Sequence, residues 1–81
     1  MPTVLREGPY RFYFVSHDLR EPPHIHVDRD DCSAKFWLKP VALARNCLFS
    51  PVELRRIDAL VRANADRLLE AWHGHSGSAR R

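Results

Sequence analysis

Pro22-Pro23-His24-Ile25-His26-Val27-Asp28-Arg29-Asp30-Asp31-Cys32-Ser33-Ala34-Lys35-Phe36-Trp37-Leu38 is the stretch that decides the fold. Two alternating runs, His24 to Asp28 and Cys32 to Leu38, flank Arg29-Asp30-Asp31, a polar turn short enough for the runs to pair as antiparallel strands. Side chains alternate faces along a strand, so His24 and His26 project to one side, and Ile25 and Val27 to the other. In the second run Cys32, Ala34, Phe36 and Leu38 alternate with Ser33, Lys35 and Trp37. Pro22-Pro23 fixes φ and supplies no N–H, so the chain enters the first run stiffly, at a strand start or a sheet edge.

Towards the N-terminus, Thr3-Val4-Leu5-Arg6 reads as a first strand, and Glu7-Gly8-Pro9 as a turn leading into a second at Tyr10 to Val15. There Tyr10, Phe12 and Phe14 share one face, with Arg11, Tyr13 and Val15 on the other. Towards the C-terminus, Pro40 ends the strand, and Val41 to Phe49 reads as a further irregular strand or a connection. Ser50-Pro51-Val52-Glu53 is a helix start: a serine cap, a proline at the first helical position and a glutamate completing a capping box. Leu54, Ile57, Val61, Ala65, Leu68 and Trp72 then follow at steps of three and four, an apolar stripe for packing on a sheet rather than a cofactor box. Asp58 and Arg62 sit at i and i+4 on a mixed-charge face that reads as solvated before it reads as an RNA stripe. His73-Gly74-His75-Ser76-Gly77-Ser78 reads as the start of a tail.

These elements predict an α+β fold, a small twisted antiparallel sheet of three to five strands packed against one long C-terminal helix. Residues 1–73 form the single domain, and 74–81 a disordered basic tail. With 81 residues, one core supplies only roughly 3–5 kcal/mol, so partner binding is expected. No apolar run approaches the roughly 20 residues that cross a bilayer. Met1-Pro2-Thr3 opens no basic and apolar leader, so a cytoplasmic location is expected, with no membrane contact. Cys32 and Cys47 fit neither a metal motif nor a disulfide framework and read as buried reduced thiols. Thirteen Lys and Arg against ten Asp and Glu give a net charge of +3, which suits an acidic partner or RNA without establishing a nucleic-acid stripe.

Three of the five histidines, His17, His24 and His26, fall within ten residues, and three readings stay open for them. In the structural reading, His24 and His26 hydrogen-bond to Asp18, Glu21 or backbone and fix the loop. A metal reading takes His24 and His26 as two ligands and His17 or Asp18 as a third; it lacks a specific motif, and neither metal nor cofactor is expected. The catalytic reading uses His17, Asp18, His24 and His26 for proton transfer, with Arg11, Arg20 or Lys35 stabilising a phosphorane in metal-independent RNA cleavage. Tyr13 and Trp37 could stack on bases if they share the face of His26, although strand aromatics are more often core.

The aromatic second strand, Pro22-Pro23-His24-Ile25-His26-Val27, Ala34-Lys35-Phe36-Trp37-Leu38 and the capped helix ending in Glu70-Ala71-Trp72 together resemble a small bacterial family, domain of unknown function 4160. The resemblance covers nearly the whole chain. It implies one half of a two-gene toxin-antitoxin-like module, the toxin side favoured, bound to a small cognate protein encoded nearby and acting on RNA. The competing expectation is a non-enzymatic antitoxin or regulator that pairs through a sheet edge; self-association stays open in both. The resemblance also implies a glycine before the Phe-Ser of the helix entry, where this chain has Leu48-Phe49-Ser50. If Leu48 has to adopt positive φ there, the turn is strained.

Overall fold

The computed structural model describes residues 3–15 and 21–79, with 75–79 described by backbone alone. Five strands, β1 (Thr3–Glu7), β2 (Tyr10–Tyr13), β3 (His24–Arg29), β4 (Cys32–Leu38) and β5 (Val41–Cys47), precede α1 (Pro51–Ala63) and α2 (Ala65–Ala79). The sheet is an antiparallel meander in the order β1-β2-β3-β4-β5. Its turns explain this local pairing. Glu7 pairs with Tyr10 and Arg29 with Cys32, so each hairpin closes over two residues. Such loops need positive φ to match the strand twist, and Gly8 (φ 56) and Asp30 (φ 52) supply it at the first position of each. The segment read as irregular, Val41 to Phe49, is strand β5 as far as Cys47. Its irregularity is a bulge: Lys35 faces Arg45 and Phe36 faces Leu43, which leaves Ala44 as the extra residue.

The core lies on one face of the sheet. Tyr10, Phe12, Phe14, Ile25, Val27, Ala34, Phe36 and Leu38 meet Phe49, Ile57, Val61, Leu68 and Trp72, all buried. Four of the six residues in the helical stripe are thus fully packed, and Leu54 is partly so. At roughly 1.5–3 kcal/mol for each fully buried large aliphatic or aromatic side chain, this face supplies the main favourable term of folding.

Two helices stand where one long helix was expected. Asn64 is the reason. Its backbone leaves the helical region at φ −113 and ψ 12, and its side-chain Nδ2 donates to the Leu60 carbonyl at 2.8 Å. A short amide side chain that bonds locally in this way competes with the helical ladder. The Asn64 carbonyl then accepts from the Leu68 N–H at 2.9 Å, so α2 starts at once. α2 runs on to Ala79, past the point where the sequence suggested a tail.

The start of α1 is half as expected. Ser50 Oγ accepts from the Glu53 N–H at 3.2 Å, as in a capping box. The Glu53 carboxylate, however, turns to the sheet, taking two hydrogen bonds from Arg29 at 2.6 Å each and one from Tyr10 Oη at 2.9 Å. This fork pins α1 to β2 and β3. The Arg29 hydrogen bonds hold the Glu53 carboxyl below its ordinary value against the opposing cost of desolvation, with Tyr10 adding to the lowering. Cys32 is half-buried and Cys47 exposed, which corrects the expectation of two buried thiols: β5 is an edge strand, and Cys47 faces solvent. Leu48 does adopt positive φ, 77°, in the turn before Phe49.

Candidate functional site

The sheet face opposite the core gathers the residues singled out in the sequence. Cross-strand register places Tyr13 beside His26, His26 beside Lys35, and His24 beside Trp37, while Arg11 lies two residues along β2 from Tyr13. The stiff Pro22-Pro23 entry starts this arrangement, because the Pro23 carbonyl already accepts from the Leu38 N–H at 3.0 Å and extends the β3–β4 ladder by one bond.

The side chains form a row of rings and cations across three strands. The Arg11 guanidinium lies 4.7 Å over the Tyr13 ring. Tyr13 stacks on His26 at 5.4 Å with planes 22° apart. His26 meets His24 edge-on at 5.3 Å, and His24 meets Trp37 edge-on at 5.8 Å. Lys35 Nζ sits 4.9 Å over the Trp37 ring and pairs with the Glu21 carboxylate. The same Glu21 oxygen is 3.7 Å from His24 Nδ1.

The two histidines of the pair have different environments. His24 is 0% exposed, and its Nδ1–H donates to the Pro22 carbonyl at 2.9 Å. A carbonyl only accepts, so this bond fixes the proton on Nδ1 and makes Nε2 the lone-pair nitrogen of the neutral ring. The Trp72 ring lies 5.0 Å from His24, the first residue of β3, and edge-on to Phe14 at 5.4 Å. His26 is only partly buried. Among the two, His26 is therefore the imidazole that an outside molecule meets, and His24 is the ring that holds it.

Tyr13 and Trp37 do share the face of His26, and each already has a cation over its ring and a histidine against it. Arg11 and His26 cover Tyr13, while Lys35 and the edge of His24 contact Trp37. The Tyr13 hydroxyl donates to Asp28 Oδ1 at 3.1 Å; burial, and then the negative charge of Asp28, push its ionisation up, so it stays a neutral donor. Thr3 Oγ1 accepts from Arg11 Nε at 2.8 Å and steadies that guanidinium.

His17, Asp18 and Arg20 lie outside the described residues. Among the described residues, no three His, Cys, Asp or Glu side chains come together as a set that could hold a metal ion. Sequence reasoning missed Trp72 as a contact of His24, since its place in the helical stripe signalled only core. It also missed Arg45, paired across from Lys35, because β5 was not read as a regular strand.

No helix is long and apolar enough to cross a membrane among the described residues. No curated protein and no solved structure matches the chain. The family model described as Domain of unknown function (DUF4160) matches residues 10–73, a span that holds β2 to β5, α1 and every described candidate residue. By that match, and by the Pro-Pro-His-Ile-His segment that builds its half-exposed imidazole, the chain belongs to the family of Domain of unknown function (DUF4160).

Proposed function

We propose that this protein is the toxin-side component of a bacterial toxin-antitoxin-like module, acting on RNA in the cytoplasm and held by a small cognate protein. The observation that carries the reading is the half-exposed His26 imidazole in one row with two cations, Arg11 over the Tyr13 ring that stacks on it and Lys35 beside it across β3 and β4. Neutral imidazole can take the proton of a ribose 2′-hydroxyl as its oxygen attacks the adjacent phosphorus. The bond to the 5′-oxygen breaks, and that oxygen receives a proton from an acid, a role expected of His17. A 2′,3′-cyclic phosphate and a 5′-hydroxyl result. Arg11 and Lys35 would stabilise the extra negative charge on the phosphorane oxygens. His24 is a positioning residue in this scheme, since its buried ring touches His26 rather than the RNA.

A second reading is favoured by one observation. The complete burial of His24 and its bond to a carbonyl are what a purely structural histidine shows, which suits a non-enzymatic binding module. Induction of the wild type and of His26→Ala in a bacterial host, with purified protein incubated on RNA in parallel, separates the two. The RNA reading expects growth arrest and cyclic-phosphate ends from the wild type alone, with the variant still folded by circular dichroism. Arrest or cleavage retained by folded His26→Ala, or absent from the wild type, refutes it.

A further inference from the structure

The outer edge of β5 is unlike any other part of the surface. β5 pairs only with β4 among the described strands, and all of its residues after Val41 are exposed. Leu43, Leu48 and Val52 are the exposed large hydrophobic residues among those described, and they fall on this strand, on the segment leading into α1 and in the first turn of α1. Between β5 and α1 lies a depression of about 350 Å³ lined by Phe36, Leu43, Leu54, Arg55 and Asp58. Arg62 Nη2 donates to the Val41 carbonyl at 3.2 Å; beyond it, a strand edge with no partner strand beside a partly apolar depression is the geometry that receives an extended peptide, with main-chain bonds to the edge and a side chain in the hollow.

Charge selects the occupant. No Asp or Glu occurs from Cys32 to Val52, while Lys39 and Arg45 are exposed there. The nearby acids of α1 are already engaged, Glu53 by Arg29 and Tyr10, and Asp58 by Arg62 at 2.8 Å. Arg55 adds an exposed guanidinium at the rim of the hollow. Leu43 and Leu54 supply the aliphatic part of the lining and Phe36, its one aromatic residue, is buried, so the edge lacks the exposed aromatic rings that single-stranded nucleic acid uses. We infer that the outer edge of β5 docks an extended acidic peptide segment of a partner protein, seating an aliphatic side chain between Leu43 and Leu54. The bulge at Ala44 interrupts the edge, so the docked strand pairs along a short run beside it, and the anchored side chain and the charges set the specificity. The hollow lies on the side of Leu43 and Phe36, opposite the His26 row, whereas Arg45 pairs across from Lys35 of that row; the inference does not depend on RNA chemistry.

The test is selection of a phage-displayed random peptide library on the intact protein, followed by fluorescence anisotropy with the enriched peptides. Enriched sequences should combine Asp or Glu with alternating aliphatic residues. Their affinity should fall at least about tenfold for Arg45→Glu/Arg55→Glu, two exposed positions whose change spares the core. Arg67→Glu, a single charge reversal on exposed α2, should leave affinity within about twofold, whereas each of Arg45→Glu and Arg55→Glu alone should lower it by more than that. Lack of enrichment, enrichment of basic peptides, or equal loss in Arg67→Glu overturns the inference. So does binding of an oligouridylate probe that the double variant abolishes, which would make the edge a nucleic-acid surface.

Discussion

Leu48 offers a direct measure of strain in the turn that leads into α1. Its φ of 77° places an L side chain in the left-handed region, which costs roughly 1–2 kcal/mol through the clash of Cβ with the following carbonyl. Replacing Leu48 by Ala and by Gly isolates that cost. The side chain is 72% exposed, so both variants lose the same small contact area, and this loss cancels in their difference. Ala keeps the Cβ and the strain. Gly removes both but frees the unfolded chain, which costs about 0.4–1 kcal/mol. The balance makes Leu48→Gly more stable than Leu48→Ala by about 0.5–1 kcal/mol, equivalent to roughly 4 °C in Tm for a domain of this size. At an ordinary strand or helix position the sign is reversed, with Gly less stable than Ala by about 0.5–1 kcal/mol. Urea unfolding of the two variants with a shared slope decides the sign, and Leu48→Ala as the more stable of the pair would falsify the strain argument.

Two further predictions concern the core and the helix anchor. Ile57 is fully buried under the sheet, so Ile57→Val should cost about 0.5–1.5 kcal/mol and Ile57→Ala about 2–5 kcal/mol; equal urea midpoints for wild type and Ile57→Val would contradict the packing described. Glu53 has a folded pKa below its ordinary 4.5, so the stability it contributes is fully present above 4.5 and is lost as pH falls through the folded value. Tyr10 is raised above 10.0 by desolvation and then by the Glu53 hydrogen bond, so its contribution is present below 10.0 and lost as pH rises through the folded value. Urea midpoints of wild type and Glu53→Gln should differ at neutral pH and converge in acid; a constant gap across the acid range would show that the carboxylate is not the linked group.

The strand content and the helical stripe were legible because each rests on a local period. Alternation over His24–Val27 and Cys32–Leu38, closed by two polar residues, admits few other structures, and the buried sets Ile25, Val27, Ala34, Phe36 and Leu38 follow from it. Two features were not local in that sense. The break at Asn64 depends on whether one amide bonds its own helix or points to solvent, a choice of a few tenths to about one kcal/mol that a single asparagine in a periodic run does not reveal. The fork from Glu53 to Arg29 and Tyr10 joins residues separated by 24 and 43 positions, and the capping-box pattern, which explains the same glutamate locally, masked it.

The histidine pair shows the same limit at the candidate site. A period of two says that His24 and His26 share a face; it says nothing of what lies above each one. Trp72, at the far end of the chain, contacts His24, which is fully buried, while His26 is only partly so. The docking of α2 therefore reaches this face: the Trp72 ring that packs beside Phe14 also contacts His24, and His24 meets His26 edge-on. A loss at Trp72 acts first on packing and only through packing on the imidazole, whereas a loss at His26 leaves the core intact. The two residues thus separate the contribution of the fold from that of the reactive group. For that reason the proposed RNA chemistry is to be tested at His26 rather than at His24.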